Sequence, residues 1–414
     1  MSTLSKRYAW PPNHWNWPVS LNHAHGVRSG YYAFTGGQAP LDQFGTVLHK
    51  KNLKQQCYTV IGFLDNVLQE LDCEKKDLVR VVVYFMGDQS NESSILESIA
   101  NWLDNTSRPV INTIRLPALC YPEMLLEVEG VAMRNLNGNY LPRDEIQHPE
   151  LPLIAEGFSH IVKCNDTIFL SDLSSLSATG EVLHPANIIA QTELMMETLR
   201  TALQLAGADY NDVTKLNVFY IGDGTAENWE IPARIRANCF RQPGPAATGI
   251  TVPSMANKGL MTKLAVTAMR NRNGSATNRS YSWPQGHWNW TTSLPYQHGN
   301  QSNALIHLGG QVSLDSNAVV LHQNDIVKQT ETALENIVRV LAEFNSTLKD
   351  VVKVTTFYVG NASAEDLHKN LQIRSETFGY PGPATSGIPV PHLVYPNMLI
   401  EIEVIAVIDF QCDS

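Results

Sequence analysis

Short apolar runs bounded by turn residues alternate with amphipathic stretches along this chain. The runs Thr167–Leu170 and Leu305–Leu308 are typical of strands. Between residues 185 and 206, apolar residues recur near helical spacing and stop before a glycine, which predicts a helix. Alternating apolar residues at 79–83 and a nearly continuous apolar run at 399–407 predict further strands. The predicted order of elements is β-β-α-β-α-β.

This unit is written three times. The segment 8–17, Tyr-x-Trp-Pro-x-x-His-Trp-Asn-Trp, returns at 281–290, and the same displacement then continues through most of both copies. A more divergent middle copy keeps the same register, so that His25, His160 and His298 align. Such self-similarity is the signature of tandem domains. The sequence therefore predicts three mixed α+β domains.

Composition and charge narrow the class of protein. The 414 residues are 43% hydrophobic and 17% charged, which is ordinary for a globular chain. The formal charge of -10 disfavours a nucleic-acid partner. No segment has the apolar length of a membrane span or a secretion signal, so we expect a cytoplasmic chain with no membrane partner. The six cysteines lack CxxC spacing, which predicts reduced thiols and neither zinc nor disulfides.

Two segments resemble a known family. Residues 35–42, Thr-Gly-Gly-Gln-Ala-Pro-Leu-Asp, and 400–407, Ile-Glu-Ile-Glu-Val-Ile-Ala-Val, are similar to the RidA/YjgF/YER057c/UK114 (Rid) superfamily, and the resemblance covers essentially the whole chain in triplicate. It implies chorismate-mutase-like domains at 1–138, 151–272 and 279–414.

Members of this superfamily are typically homotrimers with a cleft at each subunit boundary. Three tandem copies therefore imply a covalent pseudo-trimer, with a central barrel of sheets and the helices outside. Pairing of two such chains into a homodimer is compatible with this arrangement. The binding sites would be the clefts between copies, as is common for ligand sites at domain boundaries.

The chain departs from the pattern of the deaminating members of the family. These members hold the substrate carboxylate with an arginine in the strand before the last, and this position is Ile111, Ala247 and Thr385 here. The neighbouring family cysteine is replaced as well, by Thr113, Gly249 and Gly387. We therefore expect weak activity, at most, on 2-aminoacrylate.

Other cleft positions are retained unevenly. Glu127 and Glu401 occupy the acidic position of the family, where a carboxylate can activate water, and the resemblance implies that they are the acid/base residues. The middle copy has Lys263 there and Ser-Asp-Leu at 171–173 in place of Gly-Gly-Gln, so its site is degenerate or differently built. Backbone N–H groups of the Gly-Gln pairs are expected to approach the substrate closely, which gives as binding residues Gly37, Gln38, Gly310 and Gln311.

Histidines and one tyrosine are further candidates. The cleft tyrosine of the family corresponds to His23 and Tyr296, which we expect to contact substrate. His25 and His298 could move protons near neutral pH. Recurrence of this histidine in the degenerate middle copy favours a structural hydrogen bond instead. The pair His23 and His25 could ligate a metal, but no other copy repeats it and no metal or other cofactor is predicted.

Three arginines could replace the missing family arginine. Arg115 lies four residues after Ile111 on the same strand face, and Arg236 and Arg374 share one register on the second helix. Surface ion pairs are the alternative for each. The repeated His-Trp-Asn-Trp motif either caps the core or forms an aromatic wall over a ligand.

Two hypotheses of different class follow. The first is a Rid-like enzyme that binds a small nitrogen-containing metabolite between copies and catalyses imine or enamine hydrolysis, deamination or C–N bond cleavage. The second is a small-molecule-binding or interaction module without catalysis, suggested by loss of the family arginine. Ribonuclease activity, reported for some relatives, is disfavoured by the charge of -10.

Overall fold

The computed structural model describes residues 5–409, with the side chains of 226–228 left aside. Each copy contains the predicted β-β-α-β-α-β series with two additions, an edge strand before it and a second strand after the second helix. Copy 1 contains β1 Lys6–Ala9, β2 His23–Ala24, β3 Gly26–Ser29, β4 Tyr32–Thr35, α1 Leu53–Glu70, β5 Leu78–Phe85, α2 Gln89–Leu103, β6 Val110–Arg115 and β7 Leu126–Met133.

The other two copies repeat this order. Copy 2 contains β8 Arg143–Ile146, β9 Ile161–Cys164, β10 Thr167–Leu170, β11 Leu173–Ser174, α3 Ile188–Leu205, β12 Val213–Ile221, α4 Ala226–Ala237, β13 Ala246–Val252 and β14 Thr262–Met269. Copy 3 contains β15 Arg279–Ser282, β16 Gly299–Ser302, β17 Leu305–Leu308, α5 Ile326–Ala342, β18 Val351–Val359, α6 Ala364–Phe378, β19 Gly382–Val390 and β20 Ile400–Val407.

The long first helix of each copy begins at a side-chain cap. Asn52, Asn187 and Asp325 each accept a hydrogen bond from a backbone N–H of the first turn, which satisfies a donor that the helix leaves unpaired. Each helix then buries one apolar face. Three aspartates at equivalent positions close a short 3-10 turn before the strand that follows the first helix of each copy, namely Asp77, Asp212 and Asp350.

The strands pair in three separate sheets, one for each copy. The terminal strand lies centrally and antiparallel to its neighbours, in the order β1-β3-β4-β7-β5-β6 for copy 1. The short strand β2 leaves its own copy and pairs in parallel with β19 of copy 3. A cavity of about 750 Å³ is lined by strands of all three sheets. The predicted central barrel is not confirmed, because no pairing closes the described strands into one continuous sheet.

Equivalent backbone hydrogen bonds join the copies. The N–H groups of Gly37 and Gly310 donate to the carbonyls of Thr385 and Ala247, at 3.1 and 3.3 Å. Asp172 N–H donates in the same way to the Ile111 carbonyl, at 3.1 Å. The acceptors are Ile111, Ala247 and Thr385, the three positions at which the family resemblance leads us to expect an arginine. Each copy therefore contacts both others, and a cleft opens beside each of the three joints.

Candidate functional site

The three clefts differ in size and lining. The 2/3 cleft, about 660 Å³, is lined by Tyr220, Trp229 and Arg236 of copy 2 and by Trp288, Tyr296 and Glu401 of copy 3, among others. The 1/3 cleft, about 340 Å³, is lined by Trp15, Gly37 and Glu127 of copy 1 and by Leu367, Thr385 and Gly387 of copy 3, among others. The 1/2 cleft, about 920 Å³, is lined by Glu92, Ile111 and Thr113 of copy 1 and by His160, Asp172 and Lys263 of copy 2, among others.

The two glutamates are buried at equivalent points of the 1/3 and 2/3 clefts. Burial raises the pKa of Glu127 to about 8, supported by the charge of Glu129 and opposed by Lys353. Burial likewise raises the pKa of Glu401 to about 8, with the same contributions from the adjacent glutamate and the facing lysine. A carboxyl group of this kind is mostly protonated at pH 7 and can exchange a proton with a ligand.

A buried ion pair lies behind each glutamate. Lys215 Nζ is 2.7 Å from Glu403 Oε2, and Lys353 Nζ is 3.0 Å from Glu129 Oε1. Each lysine comes from one copy and each carboxylate from the next. Arg80 stands at the equivalent position of copy 1, where it donates to Thr267 Oγ1 and the Val266 carbonyl of copy 2.

Gly37 and Gly310 line the clefts, but their predicted role is wrong. Their N–H groups donate to the neighbouring copy, so they do not point freely at a ligand. A Cβ atom built on Gly310 would lie 1.8 Å from Glu401 Oε1, and one on Gly37 would lie 1.6 Å from Glu127 Oε1. Glycine is required here because the carboxyl group occupies the space of a side chain.

Replacing Gly310 with alanine is therefore expected to displace the Glu401 carboxyl group. We expect a loss of stability of about 1–3 kcal/mol from overpacking. Gly62 of α1 is the matched control, because a Cβ atom there meets nothing within 4 Å and Gly62→Ala favours the helix. Thermal unfolding of both variants checks this. A Gly310→Ala variant that unfolds at the same temperature as Gly62→Ala would show that the Glu401 carboxyl group does not need this space.

The two register-related arginines have different surroundings. Arg374 is fully buried; its Nε and Nη2 donate to Asn370 Oδ1 and its Nη1 donates to Thr385 Oγ1. Burial lowers its pKa to about 9. In copy 2 these two partners are replaced by Pro232 and Ala247.

Arg236 has consequently lost both hydrogen-bond acceptors. It is 5% exposed, and its Nε and Nη1 atoms have no partner within residues 5–409. It lines the 2/3 cleft together with Glu401, and the charges of both groups act on the buried hydroxyl of Tyr220. The structure thus brings Arg236 and Glu401 to one cleft, whereas Arg374 is tied up inside the protein.

The two residues at the cleft-tyrosine position lie beside these arginines. Tyr296 lines the 2/3 cleft, and Arg236 acts on its hydroxyl, whose pKa is raised by burial. His23 is buried, and its Nδ1 lies 3.2 Å from the Pro383 carbonyl. Burial and the charge of Arg374 lower the pKa of His23 to about 3, so it is neutral. It is not among the residues that line the 1/3 cleft.

The side chains of Gln38 and Gln311 do not bind ligand in this arrangement. Gln311 Oε1 accepts hydrogen bonds from His287 Nε2 at 2.8 Å and Trp288 Nε1 at 3.1 Å, and its Nε2 donates to the Gly309 carbonyl. Gln38 makes the equivalent contacts with His14 and Trp15. These glutamines instead hold the His-Trp-Asn-Trp segments against the strands. The tryptophans of these segments pack against the core, and they also line the 1/3 and 2/3 clefts.

His25 and His298 lie behind the tryptophans, outside the cleft linings. His298 Nε2 is 3.0 Å from the Trp288 carbonyl, and its ring stacks on Trp290 at 5.5 Å and 7°. Burial and a neighbouring histidine lower the pKa of both His25 and His298 well below the ordinary value. A neutral imidazole held this way supports the structural alternative, and direct proton transfer to a ligand in the cleft is not supported.

Arg115 is also used for packing. Its Nε donates to the Gly87 carbonyl, and its Nη1 donates to Ser254 Oγ of copy 2 at 2.5 Å. It is not among the residues that line the three clefts. The guanidinium is occupied at the joint between copies 1 and 2, so it does not replace the family arginine.

The 1/2 cleft is built differently, as its sequence suggests. Lys263 Nζ lies 3.4 Å from both Glu92 Oε1 and Asp172 Oδ2. Burial lowers the pKa of Lys263, but the two carboxylates more than offset this and keep it above its ordinary value. The lysine is therefore charged and paired, and it cannot replace the proton-exchanging glutamate of the other clefts.

Sequence reasoning missed several residues of the 2/3 cleft. Trp229, Tyr220 and Tyr395 line it, and Lys215 and Glu403 lie behind its glutamate. A sequence signal for Trp229 is visible in the repeat, because copy 3 has Leu367 at the equivalent position. In residues 5–409, no group of three His, Cys, Asp or Glu side chains is placed to hold a metal ion. No described helix combines the length and apolar character that crossing a membrane requires.

Three tandem α+β domains with a cleft at each boundary define a Rid-type repeat protein. The chain belongs to the Endoribonuclease L-PSP family, whose model matches residues 18–134, 150–269 and 290–408. A RutC family protein of Pyrococcus abyssi is 34% identical over 112 residues, which cover 27% of this chain and 85% of the relative. A 3-aminoacrylate deaminase RutC of Acinetobacter baylyi is 31% identical over 112 residues, which cover 27% and 86%.

The fold also resembles a solved structure over most of its length. A chorismatase crystal structure superposes with a TM-score of 0.52 and 13% identity, covering 80% of this chain and 93% of that one. At this identity the likeness concerns the fold alone.

Proposed function

We propose that this chain hydrolyses a C–N bond of a small nitrogen-containing carboxylate, an imine or enamine, in the 2/3 cleft. One observation carries the proposal: Glu401, a carboxyl group whose pKa is raised to about 8, lines the same cleft as Arg236, a guanidinium with unpaired donors. The first group suits proton exchange and the second suits a carboxylate.

The chemistry is the addition of water to a carbon–nitrogen double bond, so that an imine and one water give a carbonyl compound and ammonia. Protonated Glu401 gives its proton to the imine nitrogen, and the resulting carboxylate takes a proton from the water that attacks the carbon. A second transfer from Glu401 protonates the amine. The C–N bond then breaks, ammonia leaves, and the hydroxyl proton returns to Glu401. An enamine enters this sequence after it tautomerises to the imine, which places one proton on carbon and removes one from nitrogen.

Arg236 supplies the anchor that the family arginine provides in the deaminating members. The free Nε and Nη1 atoms of this guanidinium can each donate a charge-assisted hydrogen bond to a carboxylate oxygen. Arg236 is carried by helix α4 rather than by the strand that contains the family position, which is Ala247 of β13 here. A substrate held by Arg236 would therefore lie differently from 2-aminoacrylate in the relatives.

The other clefts are weaker candidates. The 1/3 cleft has Glu127, but Leu367 and Leu371 occupy its wall and its arginine is tied to Asn370 and Thr385. The second hypothesis, a binding module without catalysis, keeps the same cleft and uses Arg236 alone. Binding of a 2-oxo acid by the protein, together with no ammonia release from any imine, would favour this second hypothesis.

The proposal is tested by screening the protein for ammonia release from 2-imino acids, generated in the assay by an amino-acid oxidase. Glu401→Gln is expected to lower kcat by about 100-fold or more, with folding checked by a thermal melt. Glu335→Gln, on an exposed face of α5, is the control for loss of one carboxyl group. The rate is expected to fall as the pH rises through about 8, because the first step needs protonated Glu401. Full activity of Glu401→Gln would contradict the assignment.

A further inference from the structure

Aromatic rings form a large part of the wall of the 2/3 cleft. Six of its lining residues are aromatic: Tyr220, Trp229, Trp288, Trp290, Tyr296 and Tyr395. Five of them contact another ring of this set. Trp229 meets Tyr395 edge to face at 5.9 Å, and Trp288 meets Trp290 at 5.1 Å. The rings that face this cleft are therefore fixed before any ligand arrives, which suits recognition of a flat, unsaturated ligand.

The 1/3 cleft provides an internal comparison at equivalent positions. Trp229 and Ala233 of α4 stand where α6 has Leu367 and Leu371. The replacement of a leucine by Ala233 opens space beneath the tryptophan. The volumes agree with this difference, at about 660 Å³ for the 2/3 cleft and about 340 Å³ for the 1/3 cleft.

Gly249 and Gly387 show the same contrast from the other wall. A Cβ atom on Gly387 would lie 2.5 Å from Leu367, so no room remains there. A Cβ atom on Gly249 would meet only Tyr220, at 3.9 Å. The space between strand β13 and helix α4 is thus open, and Gly249, Trp229 and Arg236 line the same cleft.

The unpaired polar atoms around this space are donors. Arg236 Nε and Nη1, Trp229 Nε1 and the Tyr220 hydroxyl are all buried without a hydrogen-bond partner in the described part of the chain. Unpaired buried donors are costly, so a ligand that supplies acceptors is favoured. A carboxylate beside a carbonyl or imine offers several acceptors on one end of a molecule.

We propose that the 2/3 cleft is selective for carboxylates that carry an aromatic or similarly planar, conjugated ring, such as an aryl-substituted 2-oxo or 2-imino acid. The carboxylate pairs with Arg236, the oxo or imino group lies towards Glu401, and the ring occupies the space between Trp229 and Gly249. This inference rests on the proposed function for the reaction, but it concerns recognition and can be measured without turnover.

The test compares phenylpyruvate with pyruvate, two 2-oxo acids that differ only by the ring. Isothermal titration calorimetry of the full chain is expected to show phenylpyruvate binding at least tenfold more tightly. Arg236→Gln is expected to weaken both ligands. The double variant Trp229→Leu with Ala233→Leu, which copies the residues of the 1/3 cleft, is expected to weaken phenylpyruvate and leave pyruvate nearly unchanged.

Ala233→Leu alone serves if the double variant does not fold, because it fills the ring space and removes no contact. Equal affinity for the two oxo acids, or an unchanged preference in these variants, would overturn the inference. Preferential binding of phenylpyruvate with no hydrolysis of any imine would support the inference and defeat the proposed function. Hydrolysis of small imines with equal binding of the two oxo acids would support the proposed function and overturn this inference.

Discussion

Lowering the pH from 7 to 5 is expected to destabilise the protein strongly. Five buried histidines are held neutral. Burial lowers the pKa of His23 and His307 to about 3 and that of His14 to about 4, and it places His25 and His298 well below their ordinary value. The unfolded chain binds a proton at each of them below pH 6.5. Each histidine that stays neutral at pH 5 therefore lowers the free energy of unfolding by about 2 kcal/mol.

The two cleft glutamates act in the opposite direction. Their pKa is raised to about 8, so the folded state binds their protons more tightly than the unfolded state does. This contribution is fully present below pH 4.5 and is lost as the pH rises through 8. Lowering the pH from 7 to 5 therefore raises the free energy of unfolding by about 2–3 kcal/mol for each glutamate. The histidines are more numerous, so a net loss of about 4 kcal/mol is expected, which is large against an ordinary stability of about 5–15 kcal/mol.

Thermal unfolding measured across this pH range checks the expectation. His307→Phe is the matched variant, because the other two copies have Phe34 and Phe169 at this position. It removes one neutral histidine, beside Lys215 and Arg80, and should make the midpoint less sensitive to acid. A midpoint that does not fall between pH 7 and pH 5 would show that the buried histidines are not held neutral.

Replacing Glu403 with alanine is expected to cost about 3–5 kcal/mol of stability, because it leaves Lys215 as a buried charge without a carboxylate. Lys215 donates to Thr248 Oγ1 at 2.6 Å and to the Leu308 carbonyl at 2.8 Å, and its ion-pair partner is Glu403. The lysine is fixed across the joint between copies 2 and 3. Urea unfolding of the purified variant measures the loss.

Two further variants show whether the loss comes from the unpaired charge. The double change Lys215→Met with Glu403→Leu should recover most of the stability, because it removes both charges and keeps the volume. Glu365→Ala removes a carboxylate 2.8 Å from Lys369 on the surface, where both side chains are largely exposed, and should leave the midpoint nearly unchanged. If Glu403→Ala is as harmless as Glu365→Ala, the buried pair does not stabilise the joint.

The repeated sequence was sufficient to predict both helices and four strands of every copy, but the predicted order lacks the edge strand and one of the two strands after the second helix. Apolar periodicity is a local property of the sequence, and the same pattern recurs at equivalent positions of all three copies, which strengthens the prediction of each element. Placing Glu401 and Arg236 in clefts between copies was also possible, because the family resemblance carries that geometry. What Gly310 and Gln311 do was not predictable in this way. The space beside a glycine can be filled by a ligand or by another side chain. Which of the two fills the space beside Gly310 depends on the position of the Glu401 carboxyl group, which the sequence does not give.

The difference between the two arginines shows the same limit more sharply. Their shared register was visible, and so were Pro232 and Ala247 in place of Asn370 and Thr385. Only the structure shows that Asn370 and Thr385 are the hydrogen-bond partners of Arg374. The role of Arg236 in copy 2 therefore became clear only from the contacts that Arg374 makes in copy 3. The sequence of copy 2 alone does not contain this information.

The unequal clefts have a consequence for how such a protein can change. In a homotrimer one gene encodes every subunit, so each substitution appears in all three clefts at once. Here Pro232 and Ala247 stand where copy 3 has an asparagine and a threonine, which leaves Arg236 with unpaired donors while Arg374 stays bonded inside the protein. One chain can thus specialise a single cleft for a new ligand while the remaining joints keep the ring together.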